Sequence, residues 1–352
     1  MAPNEILRLR QVGFDFVRLA VAPDLFLRTV GSKRDDAIAE LRKIIGRFVA
    51  ADLKVVLDLH PNERIPGYRG KDYIGGVNQP VVMEYFQTVG DMARLLSSFP
   101  PGVVALELLN EPAAYPPRSG VWDAIQIQAH TEVRRVSSLI PIIVTGSMGG
   151  GVEGLLNLDP GPYRGSNALF SFHYYDPMIF THQATSAGRR YFTNVTWPPR
   201  RNDFAKAVEG TTSAVLRDGN IGAVDARRAV VRTTSELRQY YFTQEGEETI
   251  RSDFGRVESW ANKHGLALDR IFLGEFGVNR SVGAGAGAPA PDAERWLRSV
   301  RLAAEQRSFA WALWCYSGPV RMTLTNEWPA ETMDPGVLRS LGMRVPSLNA
   351  KN

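Results

Sequence analysis

The chain has 352 residues, of which 44% are hydrophobic and 22% are charged. This composition supports a sizeable apolar core and excludes an intrinsically disordered protein. A membrane-spanning helix needs about 18 or more consecutive apolar residues, and no stretch of that length occurs, so no membrane partner is predicted. The 41 Lys and Arg residues and the 37 Asp and Glu residues are interspersed, which argues against a nucleic-acid partner.

Short runs of β-branched and aliphatic residues alternate along the chain with longer segments of helical periodicity. Strands are predicted over residues 16–21, 54–59, 103–109, 141–145, 168–174, 270–276 and 310–316. Most of these runs are almost continuously apolar, which is typical of parallel strands covered on both faces. Amphipathic helices are predicted over residues 36–53, 81–99, 121–140 and 291–306.

This alternation predicts a parallel α/β architecture, and both a closed barrel and an open doubly wound sheet fit it. Two features favour a (β/α)8 TIM barrel. No glycine-rich turn follows the first strand, and polar residues recur at the carboxyl ends of many strands, where barrel enzymes carry their chemistry.

Only seven strands are predicted, and the residues before Phe16 have helical rather than strand periodicity. The missing strand is therefore expected to be the first one, and the natural protein is expected to begin upstream. A single catalytic barrel domain is predicted over residues 1–352. The segment 176–269 is too long for one connection and predicts an insertion of helices and loops.

Two glutamates stand at the ends of predicted strands. Glu111 follows Asn110 and precedes Pro112, and Glu275 lies in the run Gly-Glu-Phe-Gly. Burying a carboxylate is costly unless it is paired or hydrogen-bonded. For either glutamate alone, an ion pair with an arginine would be the simpler explanation, but two at equivalent positions indicate a shared function.

Polar and aromatic residues end the other strands, with the exception of 141–145. They are Arg18, His60, His173, Tyr175 and Trp314. Taken singly, a histidine or an aromatic residue in a strand is more often part of the core. Their recurrence at one end of successive strands predicts a site there.

The ordered set of Arg18, His60, Asn110-Glu111-Pro112, His173-x-Tyr175, Gly274-Glu275-Phe276-Gly277 and Trp314 resembles glycoside hydrolase family 5, the cellulase-type family of clan A. The resemblance extends from Arg18 to Trp314. It departs from the family at the amino terminus, where the first strand and a secretion signal have no counterpart, and in the length of the 176–269 insertion.

The resemblance implies that Glu111 is the general acid/base and Glu275 the nucleophile of a retaining double displacement. Retention requires carboxyl groups about 5 Å apart, whereas about 6.5 Å or more would indicate inversion. Glu111 has to carry a proton, so the neighbouring carboxylate is expected to raise its pKa. Arg18 is expected to keep Glu275 ionised, and Tyr175 to donate a hydrogen bond to it.

The remaining site residues are assigned to substrate binding by the same resemblance. Asn110 is expected to bind the sugar 2-hydroxyl, His60 and His173 to bind substrate or orient the carboxylates, and Trp314 to stack on a pyranose ring. Other aromatic residues on loops are candidates for outer subsites, with packing as an equal alternative: Tyr68, Tyr115, Trp122, Trp197 and Trp328.

Four further residues receive structural interpretations. Asp58 lies two positions before His60, and Glu107 lies four positions before Glu111, so each pair shares one face of its strand. Asp58 and Glu107 are therefore expected to support the site residues from inside the barrel. His182 is expected on a surface loop, and Cys315 is expected to pack outward against helices. No metal and no cofactor are predicted, and a single cysteine excludes an intrachain disulfide.

The leading functional hypothesis is a cellulase or endo-β-1,4-glucanase acting as a monomer on an oligo- or polysaccharide. The same mechanism on β-mannan, xyloglucan or β-1,3-glucan remains an alternative, as does a carbohydrate-binding barrel without activity. The family implies a secreted or periplasmic location, although residues 1–10 lack the basic start and apolar run of a signal peptide.

Overall fold

The computed structural model describes residues 3–116, 119–186, 188–243, 246–281, 286–318, 321–326 and 332–346, with only the backbone at positions 119 and 243. The chain forms two compact units. The first comprises Met1–His173, Val257–Gly274 and Ser308–Ala312, and the second comprises Tyr174–Arg256, Glu275–Arg307 and Leu313–Asn352. The predicted organisation as a single domain stays a prediction.

All seven predicted strands form, and their bounds agree with the sequence prediction to within about three residues. They are β1 (Phe16–Val21), β2 (Lys54–Leu59), β3 (Val104–Glu107), β4 (Ile142–Thr145), β5 (Ala168–Tyr174), β6 (Ile271–Phe276) and β7 (Ala310–Leu313). Strands β3 and β7 are each three residues shorter than predicted, and β7 ends before Trp314. The amino-terminal parts of the last three strands belong to the first unit.

The helices of the structure are α1 (Pro3–Val12), α2 (Asp24–Leu27), α3 (Ser32–Ala50), α4 (Pro80–Leu96), α5 (Ser119–Val136), α6 (Val152–Leu156), α7 (Met178–Thr181), α8 (Phe204–Leu216), α9 (Ala223–Thr243), α10 (Glu247–Lys263), α11 (Ala290–Glu305) and α12 (Pro335–Ser340). The four predicted helices correspond to α3, α4, α5 and α11. The helical character predicted before Phe16 is confirmed by α1. None of the helices in the described part of the chain is both long and apolar enough to cross a bilayer.

The first unit is built on a sheet with the strand order β1-β2-β3-β4-β5-β6-β7. The pairs from β1 to β5 are parallel, and the register places Asp58 of β2 directly beside Glu107 of β3. Strands β4 and β6 are buried along their whole length, as their continuous apolar sequences predict. Sequential parallel order with helical crossovers is the arrangement of an α/β barrel.

The sheet of the first unit curls strongly. The ring of Phe16 on β1 lies 5.9 Å from the ring of Phe272 on β6, although four strands separate them in the sheet order. Such a contact requires the sheet to bend around a common interior, as in a barrel. Because β1 to β5 are parallel, the carboxyl ends of β1, β2, β3 and β4 lie on the same side of the sheet.

The second unit contains most of the predicted insertion. Helices α8 and α9 pair in antiparallel fashion, since Phe204 at the start of α8 contacts the rings of Tyr241 and Phe242 at the end of α9. Their shared interior includes Val215 and Leu237, both fully buried. This part of the chain therefore contains helices, and its interpretation as an insertion stays a prediction.

Candidate active site

A buried ionic cluster in the first unit joins Arg18, from the middle of β1, to Asp58 and Glu107 near the carboxyl ends of β2 and β3. Arg18 therefore does not end its strand, contrary to the prediction from the sequence. The Arg18 guanidinium donates two hydrogen bonds to the Glu107 carboxylate, at 2.6 and 2.9 Å, and lies 3.1 Å from Asp58. The side chain of Arg18 is only 4% exposed, and both carboxylates are fully buried. This bidentate geometry is the strong form of the arginine–carboxylate interaction, so the predicted supporting role of Asp58 and Glu107 takes the form of anchoring Arg18.

Burial dominates the electrostatics of Glu107. The loss of hydration raises the pKa of Glu107, Arg18 lowers it, and the neighbouring Asp58 raises it again, so that the pKa stays above its ordinary value. Burial accounts for this direction, and Asp58 adds to it, because one guanidinium cannot fully compensate two buried carboxylates.

The same cluster orients His60 and Asn110. His60 Nδ1 lies 2.9 Å from the Asp58 carboxylate, which can only accept, so Nδ1 carries the proton. The side-chain oxygen Oδ1 of Asn110 accepts a hydrogen bond from Arg18 at 2.9 Å. The Asn110 side-chain nitrogen Nδ2 lies 3.3 Å from His60 Nε2. The amide orientation of Asn110 is thereby set, and one Nδ2 hydrogen remains available for a ligand.

Glu111 follows directly and is held by a histidine from β5. His173 Nδ1 donates to the Glu111 carboxylate at 2.9 Å, and the histidine side chain is 3% exposed whereas that of Glu111 is 41% exposed. Glu111 also has a φ of 42°, a left-handed conformation that costs energy and is concentrated at functional sites. Its carboxyl group therefore reaches solvent from a rigid support.

The pKa of Glu111 differs from the sequence prediction. Loss of hydration raises it, but the hydrogen bond and charge of His173, together with the charges of His60 and Arg18, outweigh this effect. The pKa of Glu111 consequently lies below its ordinary value, so the predicted rise is wrong. The prediction considered only a second carboxylate and overlooked the positive groups around Glu111.

In the second unit, Glu275 at the end of β6 has an aromatic partner. The Tyr175 hydroxyl donates to the Glu275 carboxylate at 2.8 Å, as the resemblance implied. Thr181 fixes the tyrosine backbone, because its hydroxyl donates to the Tyr175 carbonyl at 2.6 Å. This buried threonine was absent from the sequence prediction, and its position after a loop provides no sequence signal.

His182 also belongs to this part of the second unit. Its ring packs edge-on against the Tyr175 ring at 4.9 Å, and its Nδ1 lies 3.0 Å from the Thr181 hydroxyl. The Thr181 proton is committed to the Tyr175 carbonyl, so His182 Nδ1 is the donor in this contact. His182 thus lies at the end of α7, is half-buried and packs on a proposed site residue.

Trp314 lies just beyond β7, where its backbone N–H donates to the carbonyl of Phe276 at 2.9 Å. The side chain is half-buried, and its peptide bond to Cys315 is cis. Burial and the nearby charge of Glu275 raise the pKa of the Cys315 thiol to about 12. The Cys315 thiol lies 3.6 Å from the carbonyl of Ser317, and its expected packing against helices stays a prediction.

Comparison with known proteins assigns the chain to a protein family. The model of the family described as Cellulase (glycosyl hydrolase family 5) matches residues 4–319. The chain belongs to this family. The family resemblance noted in the sequence is thereby confirmed.

Curated and solved relatives agree with this assignment. Cellodextrinase A of Ruminococcus flavefaciens is 24% identical over 183 residues, and the match spans 52% of this chain and about half, 54%, of that protein. The cellulose synthase subunit Z (CcsZ) of Clostridioides difficile is 23% identical with a TM-score of 0.69, covering 97% of this chain and 92% of its own. Cel5A of Thermotoga maritima, solved with cellobiose, is 19% identical with a TM-score of 0.69, covering 97% and 90%. These similarities confirm the TIM-barrel fold class.

The aromatic residues proposed for outer subsites have different environments in this family 5 chain. Trp122 and Trp197 are fully buried, and the Trp122 indole donates to the carbonyl of Thr145 at the end of β4. Both tryptophans are core residues, so a sugar contact for them is wrong. Tyr115 is exposed and Tyr68 half-buried, whereas Trp328 lies outside the described residues.

A glycine on β6 allows His173 to reach Glu111. A Cβ atom at Gly274 would lie 2.6 Å from Ser171 Oγ and 2.9 Å from His173 Nε2. Gly274→Ala is therefore expected to lower the free energy of unfolding by about 1–3 kcal/mol through overpacking. Urea denaturation of the variant and the original protein measures this change.

A matched glycine substitution serves as the control. Nothing lies within 4 Å of a Cβ built at Gly46 in α3, so Gly46→Ala should leave stability unchanged or raise it by about 0.5–1 kcal/mol. Adding Ser171→Ala to Gly274→Ala removes the closer clash and should restore part of the loss. Equal stability of the two glycine variants would contradict this account of β6.

Proposed function

We propose that the protein is a retaining glycoside hydrolase that cleaves β-1,4-linked glucans, with Glu111 as general acid/base and Glu275 as nucleophile. Membership of family 5 supports the proposal. The observation that carries it is that each glutamate has its own polar partner at the end of a barrel strand, His173 for Glu111 and Tyr175 for Glu275. The side chain of Glu111 is 41% exposed and so reaches solvent, whereas Glu275 is buried.

The proposed reaction has two steps. In the first, Glu111 protonates the glycosidic oxygen while a Glu275 oxygen attacks the anomeric carbon, which forms a glycosyl ester and releases the leaving sugar. In the second, Glu111 takes a proton from water, and the resulting attack on the anomeric carbon frees Glu275. This reaction requires the two carboxyl groups to lie about 5 Å apart, a distance that a crystal structure with a bound saccharide would measure.

Substrate binding is proposed for the residues around these carboxylates. In the Asn110 side chain, Arg18 donates to Oδ1 and His60 contacts one of the two Nδ2 hydrogens. The other Nδ2 hydrogen can donate to the sugar 2-hydroxyl. His60 is 25% exposed and can contact the same sugar. We further propose that Trp314 stacks on a pyranose ring and that Arg18 acts indirectly, by fixing the Asn110 side chain through the hydrogen bond that it donates to Oδ1.

A β-glucan is the favoured substrate class because the curated relative is a cellodextrinase and Cel5A of Thermotoga maritima was solved with cellobiose. That same Cel5A was also solved with mannotriose, which favours β-mannan as the second candidate. Polysaccharides do not cross membranes, so a secreted or periplasmic location belongs to the same proposal.

The test of this function compares polymers and records stereochemistry. We expect release of reducing ends from carboxymethylcellulose, with mannan and laminarin as the competing substrates. Proton NMR of early products should show the β-anomer first, which indicates retention. The double variant Glu111→Gln/Glu275→Gln is the blank. Hydrolysis of none of the polymers, or activity of the blank, would contradict the proposal.

The partner of Glu111 leads to a prediction about pH. His173→Gln removes the hydrogen bond and charge that hold the pKa of Glu111 below its ordinary value. The pKa of Glu111 should therefore rise, and the acid should keep its proton to higher pH. We expect the alkaline limb of the kcat/KM profile to move to higher pH, with lower activity at its maximum.

The control for this measurement is His264→Gln, which changes a histidine that follows the end of α10 and packs on Trp260. It should leave both limbs of the profile in place. An alkaline limb that stays fixed or moves to lower pH in His173→Gln would show that His173 does not set the protonation of Glu111.

A further inference from the structure

Asn279 lies three residues beyond β6 in the second unit, and each of its four polar atoms forms a hydrogen bond. Its backbone N–H donates to the carbonyl of Thr181 at 2.8 Å, and its own carbonyl accepts from the N–H of Ala288 at 2.7 Å. In the side chain, Nδ2 donates to the carbonyl of Gln183 at 2.7 Å, and Oδ1 accepts from the N–H of Arg321 at 3.1 Å. Asn279 therefore joins the α7 turn (residues 181–183) to segments that are distant in the sequence.

The chemistry of the amide group suits an asparagine to this position. Loop backbones lack the regular partners that a helix or a strand supplies, and a buried N–H or C=O group needs a partner. The Asn279 side chain offers a donor and an acceptor on one short stem, and both of its partners are backbone groups. At 4% exposure, water cannot readily replace either contact. An ionised aspartate of the same shape would keep the acceptor but would have no donor for the Gln183 carbonyl.

A second buried amide holds the α7 turn from its other side. Gln183 is fully buried, and its Nε2 donates to the carbonyls of Phe180 and Val195, each at 3.0 Å. Its Oε1 accepts from the N–H of Val195 at 3.0 Å. The turn is therefore fixed between the segment at Val195 and the segment that follows β6.

The α7 turn connects Asn279 to Glu275 through Tyr175. The Thr181 hydroxyl donates to the carbonyl of Tyr175 at 2.6 Å, and the Tyr175 hydroxyl donates to the Glu275 carboxylate at 2.8 Å. Glu275 and Asn279 are four residues apart in one segment, so these contacts form a closed ring. A tyrosine side chain has only two rotatable torsions, so the position of its hydroxyl follows from that of its backbone. The contacts of Asn279 with the turn therefore set where the Tyr175 hydroxyl meets Glu275.

We propose that Asn279 is a positioning residue of the hydrolytic reaction, because it holds the α7 turn where the Tyr175 hydroxyl reaches Glu275. The inference rests on the proposed role of Glu275 as nucleophile. The hydrogen bond from Tyr175 orients the attacking carboxylate, and a displacement of about 1 Å from the reactive geometry costs about 10²-fold in rate. Since Asn279 acts through the backbone of the α7 turn, its effect falls on kcat and leaves substrate affinity nearly unchanged.

The first test is Asn279→Asp, which keeps the shape of the side chain and the acceptor for Arg321 but sets an oxygen against the Gln183 carbonyl. On an aryl β-cellobioside we expect kcat to fall about tenfold and KM to stay within about twofold. The matched control is Asn167→Asp, just before β5, where Nδ2 also donates to a backbone carbonyl, that of Leu139. It should change neither constant. An unchanged kcat of Asn279→Asp, or a loss expressed in KM alone, would overturn the inference.

A double-mutant cycle with Tyr175→Phe separates positioning from a general loss of structure. Tyr175→Phe alone should lower kcat by about tenfold or more, and adding Asn279→Asp to it should lower kcat by less than about twofold. The second loss is small because the hydroxyl that Asn279 positions is already gone. Asn279→Ala, which buries no charge, enters the same cycle, so that poor folding of Asn279→Asp does not decide the result.

Two outcomes of the cycle count against the inference. Losses that multiply in the double variant, or full activity of Tyr175→Phe, would overturn it. An inactive Glu275→Ala measured beside them would leave the proposed nucleophile in place, whereas an active one would contradict the proposed function itself. The two failures are therefore distinguishable.

Discussion

Replacing Glu275 with alanine is expected to lower kcat on carboxymethylcellulose by roughly 10⁴-fold, because the covalent route loses its nucleophile. The space left by the side chain can admit a small anion. In the presence of sodium azide, the variant should convert an activated aryl β-cellobioside into the α-glycosyl azide by a single displacement. Product chromatography and NMR of the anomeric proton measure this outcome.

The control is Glu40→Ala, which removes an exposed glutamate of α3 whose side chain is 53% exposed. It should retain full activity and form no azide adduct. Full activity of Glu275→Ala, or formation of the β-glycosyl azide by it, would exclude Glu275 as the nucleophile. Full activity of Glu275→Ala would mean that the reaction does not pass through a glycosyl ester on Glu275.

Replacing Glu111 with alanine is expected to affect substrates according to their leaving groups. On the polysaccharide, kcat should fall by about 10²–10⁴-fold, because the departing sugar needs a proton. A dinitrophenyl β-cellobioside needs no such proton, so its first step should stay fast and produce a burst of dinitrophenolate. The second step should be slow because water lacks its base.

Azide distinguishes the two glutamates in this variant as well. It attacks the glycosyl-enzyme without a general base, so it should accelerate turnover of Glu111→Ala and give the β-glycosyl azide. The stereochemistry is opposite to that expected for Glu275→Ala, which makes the two variants controls for each other. Equal loss on both substrates without acceleration by azide would contradict the acid/base role of Glu111.

Much of the fold could be read from the amino-acid sequence because hydrophobic periodicity is a local property. Strands β1, β2 and β5 have the predicted bounds, and α1 occupies the segment predicted to be helical. The strand ends are the most informative positions, since the sequence alone places Glu111 and Glu275 there.

Only the tertiary structure shows which residues contact Glu111 and Arg18. Glu111 and His173 are 62 positions apart, and Arg18 and Glu107 are 89 apart. The pKa of Glu111 depends on His173, His60 and Arg18, so its direction was predicted wrongly from a single neighbouring charge. Similarly, the burial of Trp122 and the packing of His182 on Tyr175 depend on how helices and loops fold back on the strands.

The sequence by itself determined the order of the strands, the family and the positions of the two glutamates at strand ends. Each of these depends on short sequence runs and on their order along the chain. The tertiary structure decided which side chains form hydrogen bonds with each other. These contacts set the direction of the pKa shift of Glu111 and anchor Arg18. The physical reason is that hydrogen bonds and electrostatic interactions depend on distances of a few ångströms, which only the curled sheet establishes between remote parts of the chain.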